Sequence, residues 1–244
     1  MRPGNRNNDE MRKIKITKDF MGNAHGSVLI ECGDTQVLCT AMFESRVPSF
    51  KVGSGEGWLT AEYAMLPAST LTRKSRETLR PDGRSVEISR LIGRSLRACV
   101  DLKLLGEKTF MLDCDVIRAD GGTRTASITG AFIALCLAVD KQIKLGNLER
   151  SPILNYTAAI SMGITQEGPV LDLCYEEDST AIADMNLVMT GEDIVEVQGT
   201  GEGGVFSRAE LNQLLDLGSA GIAQLMQIQK ETLGEAAYVV GNNG

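Results

Sequence analysis

Asp178 and Asp184 are the pair best suited to hold a hard cation. They lie at the two ends of the segment DSTAIAD, and Ser179-Thr180 permits the bend that lets both carboxylates converge. Converging carboxylates repel, so they stay charged only beside a cation or an arginine. Hard oxygens suit Mg2+ or Mn2+, and such an ion can offset charge on a transferring phosphoryl group. A second cluster lies in the stretch DCDVIRADGGTRTASITGAFIALCLA, residues 113–138. Gly121 and Gly122 permit a tight turn, after which the N–H groups of Thr123 and Arg124 and the dipole of the following helix point at one place. With the Arg124 guanidinium in the same turn, the arrangement predicts a site for a small anion, phosphate first.

Other chemically able residues read more plainly. His25, the one histidine, sits beside a glycine at a strand start and reads as a satisfied turn residue. Glu176 and Glu177 read as a solvated acidic turn. Asp113 and Asp115 share a strand face without a definable role. Phe50, Trp58 and Tyr63 could stack on bases, but read first as core. The six cysteines form no CxxC pair and lie in apolar segments, so they read as small buried hydrophobes in a reducing compartment, not as metal ligands.

These residues need elements to position them. Residues 26–43 read as a hairpin turning at Gly33-Asp34, and 58–63 as a strand in a glycine-rich stretch. Residues 66–81 lack periodicity and read as an exposed connection. From 85 to 102 the apolar residues Ile88, Leu91, Ile92, Leu96 and Cys99 recur at helical spacing. A strand over 108–118 enters the glycine turn, and a buried helix follows to about 139. The second half repeats the rhythm: strands over 156–164, 170–175, 182–189 and 194–198, then a helix whose start carries the capping pair Ser207 and Glu210. The last residues, AAYVVGNNG, read as a frayed tail. Strands then helix, twice, predict one α+β domain over 1–244 with pseudo-repeat halves of about 12–145 and 146–235.

The formal charge of −7 argues against nucleic acid until its distribution is seen. Residues 66–97 carry eight basic side chains, Arg73, Lys74, Arg76, Arg80, Arg84, Arg90, Arg94 and Arg97, against three acidic ones. Because screening confines the field to roughly 10 Å, a basic patch on an acidic protein still attracts a phosphate backbone. The longest apolar run, 131–139, is too short to span a bilayer, and MRPGNRNNDEMRK has no apolar signal segment; a cytoplasmic location is expected.

Six stretches carry a resemblance: GSVLIECGDTQVLCTA, GSGEGWLTAEYAMLP, GRSVEISRLIGRSLRACVDL, DCDVIRADGGTRTASITGAFIAL, LDLCYEEDSTAIADMNLVMT and EVQGTGEG. In this order over about residues 1–228, the chain resembles the ribonuclease PH family of phosphate-dependent 3′-to-5′ exoribonucleases. The resemblance implies a ribonuclease PH-type α+β fold, similar to domain 2 of ribosomal protein S5 and to exosome core subunits. It implies a homo-oligomer, a hexameric ring built as a trimer of dimers, and RNA as partner: 3′ ends of tRNA precursors, single-stranded 3′ tails and other structured RNA. Carried over by motif, phosphate binding falls on Arg84 with Gly122, Thr123 and Arg124. RNA binding falls on Arg73 and Arg76, and the catalytic, metal-holding acids on Asp178 and Asp184.

The reaction so implied is phosphorolysis by a nucleotidyltransferase. Inorganic phosphate, with Mg2+ or Mn2+, would attack the last phosphodiester and release a nucleoside diphosphate, reversibly. Two departures from the family pattern bear on the handling of tRNA, not on the phosphorolytic centre. Where the family reads MLPRxTHTR this chain has MLPASTLTR, so Ala68 replaces an arginine and Leu71 a histidine; at the start, Asn5 stands where MRxxGR has glycine. The alternative expectation is a catalytically weak or inactive RNA-binding ring subunit. A hydrolytic nuclease is a third reading, but it leaves the anion-binding turn without a purpose.

Overall fold

The computed structural model describes residues 2–76 and 82–241. Two sheets and their helices form the molecule. The first sheet comprises β1 (Ile14–Lys18), β2 (Gly26–Cys32), β3 (Thr35–Glu44), β4 (Trp58–Met65) and β5 (Thr109–Arg118), in the order β1-β2-β3-β5-β4. Its pairs are antiparallel except β4 with β5, which run parallel and are joined through α1 (Gly83–Arg97) and the short α2 (Leu102–Leu105). A parallel pair needs such a crossover, because a tight hairpin reverses the chain. The second sheet, β6 (Thr157–Thr165), β7 (Gly168–Leu171), β8 (Ala183–Thr190) and β9 (Asp193–Thr200), is antiparallel in the order β7-β6-β8-β9.

Between the sheets lies α3 (Thr123–Lys144), packed on β2 and β3 on one side and on β6 on the other. A helix covered on both sides must be apolar nearly all round, which explains its sequence. By length and composition α3 could cross a membrane, more than the run 131–139 suggested, but 83% of its most apolar window is buried inside the fold. The helix α5 (Arg208–Leu233) covers β6, β7 and β8. It begins at the capping box read from the sequence: Ser207 Oγ accepts from the Glu210 N–H, and Glu210 accepts from the Ser207 N–H.

The close seating of α3 on β2 depends on Gly26. A Cβ there would run into the Ala134 carbonyl oxygen and lie 2.7 Å from the Ala138 nitrogen. Both are backbone atoms of a helix pinned between two sheets, so they have little room to yield. Gly26→Ala is expected to lower stability by ~1–3 kcal/mol, read from the urea midpoint. An unchanged midpoint would mean that the helix shifts freely on the sheet.

Several local readings are corrected. The arm before residue 26 contains β1, whose alternating Ile14 and Ile16 pack against the core. Residues 176–178 form part of a helical turn, α4 (Tyr175–Asp178), and not a plain acidic turn. The supposed frayed tail includes a 3-10 turn, Gly234–Val239, with Val239 fully buried; Val240 bridges to Ile153. The basic connection at 66–81 is described as far as Arg76, and 77–81, with Arg80, lie outside the described residues. All six cysteines are buried and free, and burial drives the Cys32 and Cys99 thiols up to about 12.

Candidate functional site

The end of β5, the start of α3 and α4 meet along a cleft of about 960 Å3. The turn between β5 and α3 is built by Gly121 and Gly122, with φ of +75° and +64°, a region that L side chains rarely adopt. Gly121 also lets the turn press on the opposite wall, because a Cβ there would stand 2.6 Å from the Leu173 carbonyl oxygen. Thr35 fixes the turn from below: its hydroxyl donates to the Gly121 carbonyl at 2.6 Å and accepts from the Asp120 N–H at 2.9 Å. Tyr63 is buried and lies 2.9 Å from the Thr123 hydroxyl, which ties β4 to the first residue of α3.

The structure brings Arg84, Gly122, Thr123, Arg124, Asp178 and Asp184 to this one cleft. Arg84, in the first turn of α1, is exposed and makes no ion pair or hydrogen bond among the described residues. Arg124 is different. Its guanidinium donates to Gln198 Oε1 and lies 3.4 Å from Glu87 Oε1, so it is tied to β9 and α1. Asp184 stands on β8 opposite Gly163, and its Oδ1 is buried without a partner among the described residues. Asp178 closes α4. Burial raises its carboxyl above the usual range, Asp184 and Glu202 push the same way, and Arg84 and Arg124 pull it back.

From the basic connection, Ala68, Leu71 and Lys74 line the cleft, while Arg73 and Arg76 stand exposed beside them. Lys74 is tethered 3.2 Å from Asp82, the cap of α1. The hydrogen bond from the Ser85 N–H and the pull of Lys74 outweigh burial and hold the Asp82 carboxyl down to about 2. Leu71, where the resemblance expects histidine, is fully exposed. Arg118, paired with Asp34 at 3.0 Å, adds a further cation to the rim.

Residues outside the cleft fall into place as structure. His25 Nδ1 accepts from the Phe43 N–H at 2.9 Å, and burial with the charge of Lys141 lowers its pKa. Asp113 and Asp115 face away from α3 in the middle of the first sheet, where burial raises both. Trp58 is covered by the Arg97 guanidinium, 4.6 Å from the ring centroid, and meets Phe50 edge to face, while Phe50 itself, expected in the core, is exposed.

Glu177 is the residue that reading by sequence missed. It is buried, accepting at 2.6 Å from Arg2 Nε, at 2.8 Å from Arg6 Nη2 and at 3.0 Å from the Cys174 N–H. Burial alone would raise this carboxyl, yet the two arginines and the Cys174 N–H together hold it down to about 2. The signal was present in the start MRPGNR, whose two arginines have a structural use.

Residues 10–139 match the sequence profile described as "3′ exoribonuclease family, domain 1", and residues 155–221 match "domain 2" of the same family. The chain belongs to the 3′ exoribonuclease family. Solved structures share the fold at low identity. Rice (Oryza sativa) Rrp46 superposes with a TM-score of 0.78 at 18% identity, over 95% of this chain and 100% of that one. The Archaeoglobus fulgidus exosome with RNA bound to the active site gives 0.78 at 23%, over 93% of this chain and 92% of that one. An archaeal exosome core gives 0.72 at 23%, over 92% and 89% respectively. The ribonuclease PH-type α+β architecture expected from the resemblance is therefore the one observed.

The same findings correct the expected activity. The solved structures matched are Rrp46 and exosome assemblies, not a free-standing enzyme that trims tRNA, and at 18–23% identity they carry the fold alone to this chain. A family fold does not carry its chemistry to every member. Among the described residues no group of three or more His, Cys, Asp or Glu side chains is placed to hold a metal ion. Arg124, expected to bind phosphate, is held by Gln198 and Glu87. The expectations of phosphorolysis, of nucleotidyl addition, of inorganic phosphate as co-substrate and of Mg2+ or Mn2+ as cofactor are withdrawn. Of the structures matched, the Archaeoglobus fulgidus exosome is the one with RNA bound to its active site.

Proposed function

We propose that the chain is an RNA-binding subunit of an exosome-type ring, which retains a single-stranded 3′ tail along its cleft without cleaving it. The observation that carries this reading is the cleft's lining: Arg84, Arg118 and Lys74 border an open space floored by the glycine turn at the start of α3. Phosphate groups of a nucleic acid meet there both side-chain cations and the N-terminal N–H groups of a long helix. Arg73 and Arg76, exposed beside the cleft, extend the basic track, and Gly122, Thr123 and Arg124 form its floor. Asp178 and Asp184 line the same cleft and repel the phosphates toward its cations. The ring, a trimer of dimers of this chain, is the assembly in which such a cleft lies along the path of RNA.

The test uses a short single-stranded RNA with the purified chain, phosphate and Mg2+. The RNA is expected to be retained on a filter and recovered at full length. Nucleoside diphosphates released only when phosphate is present, and abolished in Arg84→Ala, would overturn the reading.

A further inference from the structure

The N-terminal arm grips the segment that carries Asp178 at several points. Arg2 donates through Nη2 to the Leu171 carbonyl at 2.6 Å and through Nε to Glu177 at 2.6 Å. Arg6 donates through Nη1 to the Asp172 carbonyl at 2.9 Å and through Nη2 to Glu177 at 2.8 Å. Two guanidiniums thus clamp both the backbone before α4 and a side chain within it. The four residues of α4 cannot hold a helical turn on their own, since a single turn fixes many dihedrals for few hydrogen bonds. Its conformation must come from outside. Glu177 faces the arm, and the next residue, Asp178, faces the cleft.

The arm reaches the other wall as well. Arg12 is bound to Asp172 and donates through Nη1 to the Asp120 carbonyl. Asp120 in turn accepts at 3.3 Å from the N–H of Tyr175, the first residue of α4. The glycine turn and α4 are therefore fastened to one strap.

We infer that Arg2 and Arg6 are positioning residues for the cleft: acting through Glu177, they set where α4 holds Asp178 and hence the width of the RNA path. This rests on the RNA-retaining reading of the cleft. Neither arginine lines the cleft. Their fork geometry matters more than their charge, because each binds a carboxylate and a carbonyl at once, which an ammonium on a flexible stem does poorly.

The experiment keeps the charge and removes the fork: Arg2→Lys together with Arg6→Lys in the full chain, with Arg6→Lys alone as the milder variant should the pair fail to fold. Two readouts are taken, and a merely structural role would move neither. The first is the Asp178 titration followed by carboxyl NMR in the free protein, expected to move by about half a pH unit or more as its spacing from Asp184 and Arg84 changes. The second is the affinity for single-stranded RNA measured well below the unfolding midpoint, expected to fall about fivefold with an unchanged salt slope, since no phosphate contact is removed. A lowered midpoint with the titration and the affinity both unmoved would overturn the inference, leaving the arm as a stabilising strap only. A shifted Asp178 titration in a protein whose native form retains no RNA would support the strap and overturn the RNA reading.

Discussion

Replacing Arg12 with alanine is expected to cost ~3–5 kcal/mol of folding stability, the range for breaking a buried pair by removing one partner. Arg12 and Asp172 are both buried. The Arg12 guanidinium meets Asp172 at 2.7 Å through Nη2 and at 3.0 Å through Nε, and the Arg12 N–H donates to the same carboxylate at 2.7 Å. Burial alone would lower the pKa of Arg12, yet Asp172 raises it well above the ordinary value, so the guanidinium stays charged. Without Arg12, Asp172 keeps, among the described residues, that N–H and Arg6 at 3.7 Å, and a charge is left shut away from water. Asp172 is buried, so its carboxylate has little water to turn to. The check is the urea midpoint of Arg12→Ala against that of Arg12→Met with Asp172→Asn, since asparagine tolerates the left-handed φ of +54° and still accepts from the residue-12 N–H. The double variant removes both charges and is expected to be closer to the native chain than either single one. A loss under ~1 kcal/mol in Arg12→Ala would show that water reaches the carboxylate, and the pair would then count as a surface contact.

The contrast between Arg12 and the rest of the sequence explains what could be read in advance. The hairpin of β2 and β3 was visible because one face of a sheet meets α3 and the other does not, which imprints alternation on Val28, Ile30, Val37 and Cys39. The start of α5 was visible because a capping box is local: Ser207 and Glu210 are three residues apart. β1 was hidden for a different reason. Its two isoleucines stand in a five-residue strand among lysines and a threonine, too short for alternation to stand out from a polar arm.

The cleft was legible in its parts. The glycine turn announced itself by backbone need, and the resemblance brought Arg84, Asp178 and Asp184 to the same place. What the parts do was not legible, because activity depends on which groups are left free. Arg124 looks identical in sequence whether it faces an anion or Gln198, and its partner is 74 positions away. Glu177 sits in a run of three acids that reads as a solvated turn, while its arginines lie 175 and 171 positions earlier. Charges that are paired across the fold carry no local signature. For the same reason Ala68 and Leu71, plain substitutions in the sequence, weigh more once both are seen lining the cleft.

The basic side of that cleft carries the second large prediction. Arg84, Arg73 and Arg76 are exposed. If each neutralises one phosphate of a bound single strand, replacing all three by alanine removes three contacts. The slope of log affinity against log salt should then fall by about 2, and affinity at 0.1 M salt by about 100-fold, at ~0.7 of slope per phosphate. The reverse change is as informative. Ala68 is exposed and lines the cleft, and Ala68→Arg supplies the side chain that the family pattern has there. It should steepen the slope by about 0.7 and tighten binding about fivefold. Folding should be unaffected in both variants, because none of these positions is buried. Fluorescence anisotropy with a short labelled RNA from about 50 to about 300 mM salt, where the Debye length falls from about 14 to about 6 Å, reads both changes. Parallel salt curves for the native chain and the triple variant would move the RNA path off this face of the molecule. A steeper curve for Ala68→Arg alone, with the triple variant unchanged, would place the path on the Ala68 side of the cleft and away from α1.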